Sequence, residues 1–262
     1  MVGRAREEAY YRENERRHEF GPPLLEAQNL SAPRYFRGVS FALRAGEILG
    51  IAGVTGSGKT ELGRALIGDI PIASGELLLR GRTIRKLDLR ARVKWGLGYV
   101  PLDRHREGVI LYQSLRMTNI PLAALGRISH FGGLISRGKE QRIVKWAIDW
   151  FRIAAPNGDA LVSTLSGGNQ QKVLLARWAV AGSRVLILDN PTRGVDVGAK
   201  SEIYSHLRSL TLTDVAILLI SDDLHELMGL SDRIIIMRDG APVLEFEHAQ
   251  GLQEHDLVAH MV

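Results

Sequence analysis

Eight consecutive residues carry the most distinctive chemical pattern in this sequence. They are Gly53-Val54-Thr55-Gly56-Ser57-Gly58-Lys59-Thr60, which fit G-x-x-x-x-G-K-[ST] between an apolar run and a predicted helix, Lys59 to Ile67. Glycines let backbone N–H groups converge on phosphate oxygens without a Cβ in the way. The positive N-terminal end of the next helix favours the same anion. We expect Lys59 to reach the β- and γ-phosphates of a bound nucleotide and the Thr60 hydroxyl to bind Mg²⁺. The pattern therefore predicts a phosphate-binding loop, with Glu61 as a neighbouring cofactor-binding candidate and a plain glycine-rich turn as the alternative.

A second candidate lies at the end of the apolar run Val185 to Leu188. Asp189 follows this run, and an aspartate in that position of a phosphate-loop NTPase holds Mg²⁺. Many buried strands end in Asp without binding metal, so the prediction depends on the phosphate loop. The next residue is Asn190, whose amide can orient a water molecule but cannot take its proton as a carboxylate could.

The composition indicates one large α/β domain. The 262 residues are 45% hydrophobic and 24% charged, which suits a globular core. The absence of cysteine excludes disulfides and thiolate metal sites. No apolar run reaches the roughly 18–20 residues that cross a bilayer, and the N-terminus is too charged for a secretory signal. The net charge of +5 raises the question of nucleic acid, but the arginines are spread along the chain, which favours a solvated surface.

The order of apolar runs predicts the organisation of the chain. Residues 1–22 are charged and read as a linker, and the domain is expected over 23–262, with packed structure from Leu24. Short strands on either side of Arg44-Ala45-Gly46 predict an antiparallel N-terminal β-subdomain. Strand signals are missing from Asp103 to about Ala160, and Lys139 to Phe151 has a helical pattern, which predicts an inserted helical subdomain over about 103–170. Apolar strands alternating with helices elsewhere predict a mainly parallel sheet covered on both faces.

Two further segments carry a family resemblance. Leu165 to Lys172 reads LSGGNQQK and resembles the ABC (ATP-binding cassette) signature, and Asn190 to Lys200 reads NPTRGVDVGAK. With the phosphate loop they occur in the order typical of sugar-type import ATPases. The chain is most similar to the second cassette of tandem ribose/galactose-type proteins, over about Leu24 to Val262. The resemblance implies a P-loop NTPase fold and ATP with Mg²⁺ as cofactors.

The resemblance also implies how two cassettes work together. They pair head to tail, so Ser166, Gly167, Gly168 and Asn169 are expected to contact ATP bound by a partner cassette. Small residues at a helix N-terminus suit a second anion site. Gly194-Val195-Asp196 resembles the loop through which paired cassettes communicate. Tyr35 or Phe36 is a candidate for stacking on adenine, or a core aromatic.

Three positions depart from the family pattern. Leu102 stands where a Gln or Glu is usual, before Asp103-Arg104, which is a candidate contact for Mg²⁺-bound water or the membrane subunit. Asn190 stands where a catalytic Glu is expected, and Asp222 where many cassettes have a switch His, which tandem sugar-type second cassettes often lack too. His225 is displaced by three positions and reads as an exposed helix residue. Losing a general base costs about 10²–10⁴ in rate. We therefore expect Asn190 and Asp222 to be degenerate catalytic positions in a site that binds ATP without efficient turnover.

The expected function is the ATP-binding subunit of an ABC importer for a sugar or similar small polar solute. Its expected partners are a second cassette, integral membrane permease subunits and, indirectly, a solute-binding protein, at the cytoplasmic face of the membrane. Met1-Val2-Gly3-Arg4 resembles the end of a first cassette, which predicts a tandem protein, and a single-cassette protein is the alternative. A non-hydrolysing regulatory ATP-binding module is the second functional hypothesis. A soluble ABC protein acting on DNA or the ribosome is disfavoured, and no nucleic-acid partner is expected.

Overall fold

A computed structural model describes residues 10–12, 15–129 and 134–262. Contacts between residues divide the chain into two compact units, which we call unit one and unit two. Unit one comprises Met1–Tyr99, Arg184–Asn190 and Tyr204–Val262, and unit two comprises Val100–Ser183 and Pro191–Ile203. The Met1-Val2-Gly3-Arg4 resemblance lies outside the described residues.

The described strands and helices are numbered here in chain order. The strands are β1 (Pro23–Ala32), β2 (Phe36–Arg44), β3 (Ile48–Ala52), β4 (Ser74–Leu79), β5 (Arg82–Thr83), β6 (Leu97–Val100), β7 (Val185–Asp189), β8 (Ala216–Ile220), β9 (Arg233–Arg238) and β10 (Ala241–Phe246). The α-helices are α1 (Lys59–Ile67), α2 (Leu89–Lys94), α3 (Leu125–Ile128), α4 (Arg137–Trp150), α5 (Gly167–Ala181), α6 (Val197–Thr211), α7 (Leu224–Leu230) and α8 (Glu254–Met261). None of these described helices is long and apolar enough to cross a membrane.

The larger of the two sheets has six strands in the order β10-β9-β3-β8-β7-β6. Strand β3 pairs in parallel with both β8 and β9, and β7 pairs in parallel with β8. Every residue of β3, β7 and β8 is buried, as expected for strands covered on both faces. The prediction of a mainly parallel sheet is confirmed. Strand β10, which the sequence did not predict, adds an antiparallel edge to β9.

A second sheet of order β2-β1-β4-β5 is antiparallel, which confirms the predicted N-terminal β-subdomain. The strands on either side of Arg44-Ala45-Gly46 do not pair with each other, because β2 pairs with β1 in this sheet and β3 enters the central sheet. Its buried side chains, such as Leu25, Val39 and Leu77, join those of α1 and the central strands in one core cluster. Helix α1 has the predicted bounds and ends at Gly68, whose φ of 98° suits glycine. Arg92 donates to the carbonyls of Ala65 and Leu66 at 2.7 and 2.8 Å. These carbonyls lie in the last turn of α1, where they have no N–H partner within the helix.

The segment before β1 is packed at one residue in particular. Arg16 is 8% exposed, and its guanidinium lies 3.6 Å from the Asp232 carboxylate and donates to the Gly229 carbonyl. This residue lies before Leu24, where the sequence led us to expect packed structure to begin. Arg16 therefore packs against other residues of unit one, and packed structure begins before Leu24.

Unit two is built around a buried arginine. The Arg177 guanidinium donates to the carbonyl of Asn119 at 2.7 Å and to that of Gly108 at 2.8 Å. Burial lowers the pKa of Arg177 to about 10. The Asn119 side chain, also buried, accepts from the Ile110 N–H at 2.8 Å and donates to nearby carbonyls. Gly108 and Asn119 are the last residues of two single π-helical turns of unit two, Arg104–Gly108 and Leu115–Asn119. Arg177 therefore gives the buried backbone carbonyls at the ends of both turns a hydrogen-bond donor.

Candidate functional site

The loop between β3 and α1 has a backbone that requires glycine. Gly56 and Gly58 have φ of 84° and 89°, a region that side chains with a Cβ rarely adopt. A Cβ on Gly58 would lie 2.5 Å from the Tyr35 carbonyl oxygen, and one on Gly53 would lie 2.4 Å from Ser57 Oγ. The predicted phosphate-loop residues therefore fold into one tight turn whose geometry depends on all three glycines.

The mouth of this loop offers hydrogen-bond donors. Helix α1 begins after Gly58, and no side chain of the described residues caps its first turn. The Ser57 hydroxyl is buried and has no hydrogen-bond partner among the residues that the structure describes. Val54, Thr55 and Gly56 are exposed, and Glu61 lies half-exposed in the first turn. Free N–H groups at a helix start beside a glycine loop fit the phosphate groups of a nucleotide.

The Lys59 ammonium is buried beneath the loop, with only 4% of the residue exposed. It donates to the carbonyls of Gly53 and Val54 at 2.6 and 3.2 Å. It also forms an ion pair with Asp222 Oδ1 at 2.9 Å. Since a lysine has three N–H donors, these three oxygens can occupy all of them.

The Asp189 carboxylate lies at the end of β7 and is fully buried. Thr60 Oγ1 and the Tyr99 hydroxyl each lie 3.5 Å from it, and Asn190 Nδ2 donates to it at 3.0 Å. Burial raises the pKa of the Asp189 carboxyl, and the nearby Asp222 raises it further, against the hydrogen bonds from Asn190 and Thr60 and the charge of Lys59. A carboxylate beside a hydroxyl is an oxygen donor set that Mg²⁺ prefers. The two predicted metal-binding residues are therefore brought together, and they fit that ion.

Asn190 has a role that the sequence did not reveal. Its backbone adopts a φ of 48°, which Asn tolerates better than most residues. Its side-chain amide donates to Asp189 Oδ1 at 3.0 Å and accepts from the Asp222 N–H at 2.8 Å. Asn190 therefore joins the carboxyl ends of β7 and β8, and it presents no carboxylate to a water molecule.

The structure shows where three further candidate side chains lie. Phe36 is 3% exposed and belongs to the core, whereas Tyr35 is 46% exposed and is free to stack on a base. His225 is 67% exposed on α7, and its imidazole lies 4.0 Å from Glu254. It is an exposed helix residue, as the sequence favoured.

The predicted signature residues lie at the start of α5 in unit two. Ser166 caps this helix, accepting from the Asn169 backbone at 3.5 Å and from its side chain at 2.9 Å. A Cβ on Gly168 would lie 2.4 Å from the Ala199 Cβ, so this position needs a glycine. Arg104 donates to the Arg193 carbonyl at 2.7 Å and fixes the start of the Gly194-Val195-Asp196 segment. In the same unit Leu102 is half-buried, and Asp103 Oδ1 accepts from the N–H groups of the two residues after Arg104.

Known proteins match most of this chain. The sequence pattern of a family described as ABC transporter matches residues 36–193, which include the phosphate loop, the signature segment and Asp189. The ribose import ATP-binding protein of Corynebacterium glutamicum is 40% identical over 259 residues, covering 99% of this chain and 48% of that protein. One from Rubrobacter xylanophilus is 42% identical over 254 residues, covering 97% and 50%. The chain spans about half the length of these curated relatives.

Solved structures show the same fold. An ATP-binding cassette solved as a dimer in a post-hydrolysis state with ADP and phosphate has a TM-score of 0.74 at 19% identity, covering 87% of this chain and 100% of that one. The ADP conformation of another ATP-binding cassette has a TM-score of 0.72 at 19% identity, covering 91% and 98%. At such identity the likeness concerns the fold alone, and it confirms the predicted α/β phosphate-loop architecture.

Proposed function

The chain belongs to the ABC transporter family, and on that premise we propose that it is the ATP-binding subunit of an importer for ribose or a similar sugar. The observation that carries the ATP-binding part is the glycine loop over a buried Lys59, followed by a helix start without a side-chain cap among the described residues. The sugar class is supported by the names of relatives at about 40% identity. The chain's own residues do not contact the solute in this proposal.

Each residue of the site has a part in holding the nucleotide. The backbone N–H groups from Gly53 to Thr60 and the start of α1 bind phosphate oxygens, and the Lys59 ammonium compensates the charge of the terminal phosphates. Thr60 and Asp189 would hold Mg²⁺, which neutralises charge on the β- and γ-phosphates when it is bound. Tyr35, exposed beside Gly58, supplies an aromatic face for the adenine.

Hydrolysis at this site is proposed to be slow. At position 190 the side chain is an amide already bonded to Asp189 and to the Asp222 N–H, so it cannot accept a proton from water. Asp222 carries a carboxylate but forms an ion pair with Lys59. Loss of a general base lowers the rate by about 10²–10⁴.

The signature segment is proposed to serve a second cassette. Ser166 caps a long helix whose first turn contains Gly167, Gly168 and Asn169, and the N–H groups and the hydroxyl there can meet a γ-phosphate held by a partner. The relatives are about twice as long as this chain, which supports a partner cassette within one longer protein. Permease subunits at the cytoplasmic face of the membrane, and a solute-binding protein acting on them, complete the proposed assembly.

Nucleotide titration and phosphate release test the proposal together. Mg·ATP should bind to the parent chain and fail to bind to Lys59→Ala, with little phosphate release from either. Asn190→Glu restores the carboxylate, although Glu must then adopt a φ of 48°, and Asn190→Asp restores a carboxylate that tolerates this conformation better. A rise in turnover of tenfold or more in either variant, lost again with Lys59→Ala, is expected. Fast release by the parent that depends on Lys59 would refute slow hydrolysis.

A non-hydrolysing regulatory module is the second candidate. The amide at position 190 favours it, because an amide bonded to Asp189 and to the Asp222 N–H cannot take a proton from water, so bound ATP would stay intact. If both carboxylate variants bind Mg·ATP normally and show no gain in turnover, position 190 is not what limits hydrolysis, and the amide no longer supports the regulatory role.

A further inference from the structure

The ion pair between Lys59 and Asp222 places a carboxylate where the loop would meet a nucleotide's terminal phosphates. Lys59 Nζ lies 2.9 Å from Asp222 Oδ1, and its other contacts are the Gly53 and Val54 carbonyls. A phosphate oxygen can bond to this ammonium only if one of these three oxygens gives up its place. The two carbonyls belong to the loop itself, so the aspartate is the partner that can leave most easily.

The contacts of Asp222 explain why its side chain can leave while its backbone stays. The Asp222 N–H donates to Asn190 Oδ1 at 2.8 Å, and the following Asp223 caps helix α7. The Asp222 carboxylate itself is 54% exposed. It can therefore turn into solvent without the loss of a buried contact other than the ion pair.

The charge balance makes this carboxylate a competitor. Lys59 Nζ lies 2.9 Å from the Asp222 carboxylate, and the buried Asp189 carboxylate is close enough to interact with the charges of both groups. Two carboxylates and one ammonium leave an excess of negative charge at the place where a triphosphate must bind.

We propose that Asp222 competes with the terminal phosphates for Lys59 and thereby determines how strongly the site prefers ATP to ADP. This inference rests on the proposed ATP-binding function. Lysine in such a loop reaches both the β- and γ-phosphates. ATP offers two phosphates to this ammonium where ADP offers one, so a carboxylate at the ammonium opposes ATP more. Asp222 lowers the affinity for ATP by a larger factor than the affinity for ADP.

The size of the effect is limited by solvent. A like charge a few ångströms away costs about five- to tenfold in binding when it is half-exposed and free to turn away, as interactions between charges in water are weak. Asp222→Asn is therefore expected to tighten Mg·ATP binding by about five- to tenfold and Mg·ADP binding by no more than about twofold. Asp222→Ser removes the same charge with a smaller side chain and should act in the same way.

Titration calorimetry with Mg·ATP and Mg·ADP on the purified chain tests this. Asp69→Asn is the matched control. The Asp69 carboxylate is exposed to a similar extent as that of Asp222, and it pairs at 2.7 Å with Arg64, which lies on the same helix as Lys59. It should leave both affinities unchanged. Equal or weaker ATP binding by both Asp222 variants, or equal tightening of ATP and ADP, overturns the inference.

Lys59→Ala separates this inference from the proposed function. If the parent binds Mg·ATP through Lys59 and the Asp222 variants bind it no better, the competition is wrong and the ATP-binding function stands. If no variant binds a nucleotide in a way that depends on Lys59, the proposed function fails, and this inference fails with it.

Discussion

Replacing Asp189 by Asn is expected to stabilise the folded chain while removing a magnesium ligand. Asp189 is fully buried, and burial raises the pKa of its carboxyl. A carboxyl whose pKa is higher in the folded chain than in the unfolded chain binds its proton more tightly when the chain is folded. Its stabilising contribution is therefore complete only below the unfolded pKa, and it is lost as the pH rises through the folded pKa. At neutral pH the ionised Asp189 therefore lowers stability, and Asn, being neutral, does not.

The hydrogen bonds at Asp189 set the magnitude. Only the bond from Asn190, at 3.0 Å, is short, and an amide oxygen at position 189 can still accept it. The contacts with Thr60 and Tyr99 are both 3.5 Å long and contribute little. The attraction of Lys59 is lost, which offsets part of the gain. We expect a net gain of about 1 kcal/mol, at the low end of the range for replacing buried charges.

Urea unfolding at several pH values, without nucleotide, measures this gain. The gain should be full near pH 7.5 and shrink as the pH falls towards about 4, where an unfolded aspartate protonates. Asp69→Asn, which removes an exposed carboxylate, should change stability by less than about 0.5 kcal/mol. Calorimetry should show that Asp189→Asn loses the Mg²⁺ dependence of ATP binding. A loss of stability above about 1 kcal/mol at neutral pH, or a gain that does not depend on pH, would refute the reasoning.

The remaining predictions concern the loop glycines and the buried arginine. Gly58→Ala should cost about 2–4 kcal/mol and abolish ATP binding, because its φ is 89° and its Cβ would meet the Tyr35 carbonyl at 2.5 Å. Gly56→Ala has a similar φ but open space around the Cβ, so it should cost only about 1–2 kcal/mol; equal losses in urea unfolding would contradict this contrast. Arg177→Met leaves the buried Asn119 carbonyl without its donor and should cost about 3 kcal/mol, and a change below about 1 kcal/mol would show that water replaces the guanidinium.

The parts of the site that are contiguous in sequence were predictable. The phosphate loop, its preceding strand and helix α1 share one local pattern, so their residues and the bounds Lys59–Ile67 followed from spacing alone. The apolar runs of β7 and β8 were long enough to indicate buried strands. The antiparallel β10 was missed because Ala241–Phe246 is only partly buried and lacks a clear alternation of apolar residues.

The contacts between distant residues were not predictable. Lys59 and Asp222 are far apart in sequence, and only the parallel pairing of β3 with β8 brings the ends of those strands together. Likewise, nothing in the local sequence showed that Arg177 would lie among the carbonyls of two π-helical turns. The only signal in the sequence was that Arg177 is a charged residue in an otherwise apolar helical segment. That signal suggests a buried hydrogen-bonding role for Arg177 but does not identify the groups to which it donates.

Asn190 shows how one side chain can have two consequences at once. Between the Asp189 carboxylate and the Asp222 N–H, the neighbouring residue must donate to one and accept from the other, which an amide does and a carboxylate cannot. A carboxylate at 190 would face the buried Asp189 with a like charge and leave it without its shortest hydrogen bond. The same amide removes the group that would take a proton from water. The Asn190 amide is therefore the single chemical cause of two features: the hydrogen-bonded link between the ends of β7 and β8, and the slow hydrolysis that we propose. Replacing this amide by a carboxylate that can act as a base must weaken the link.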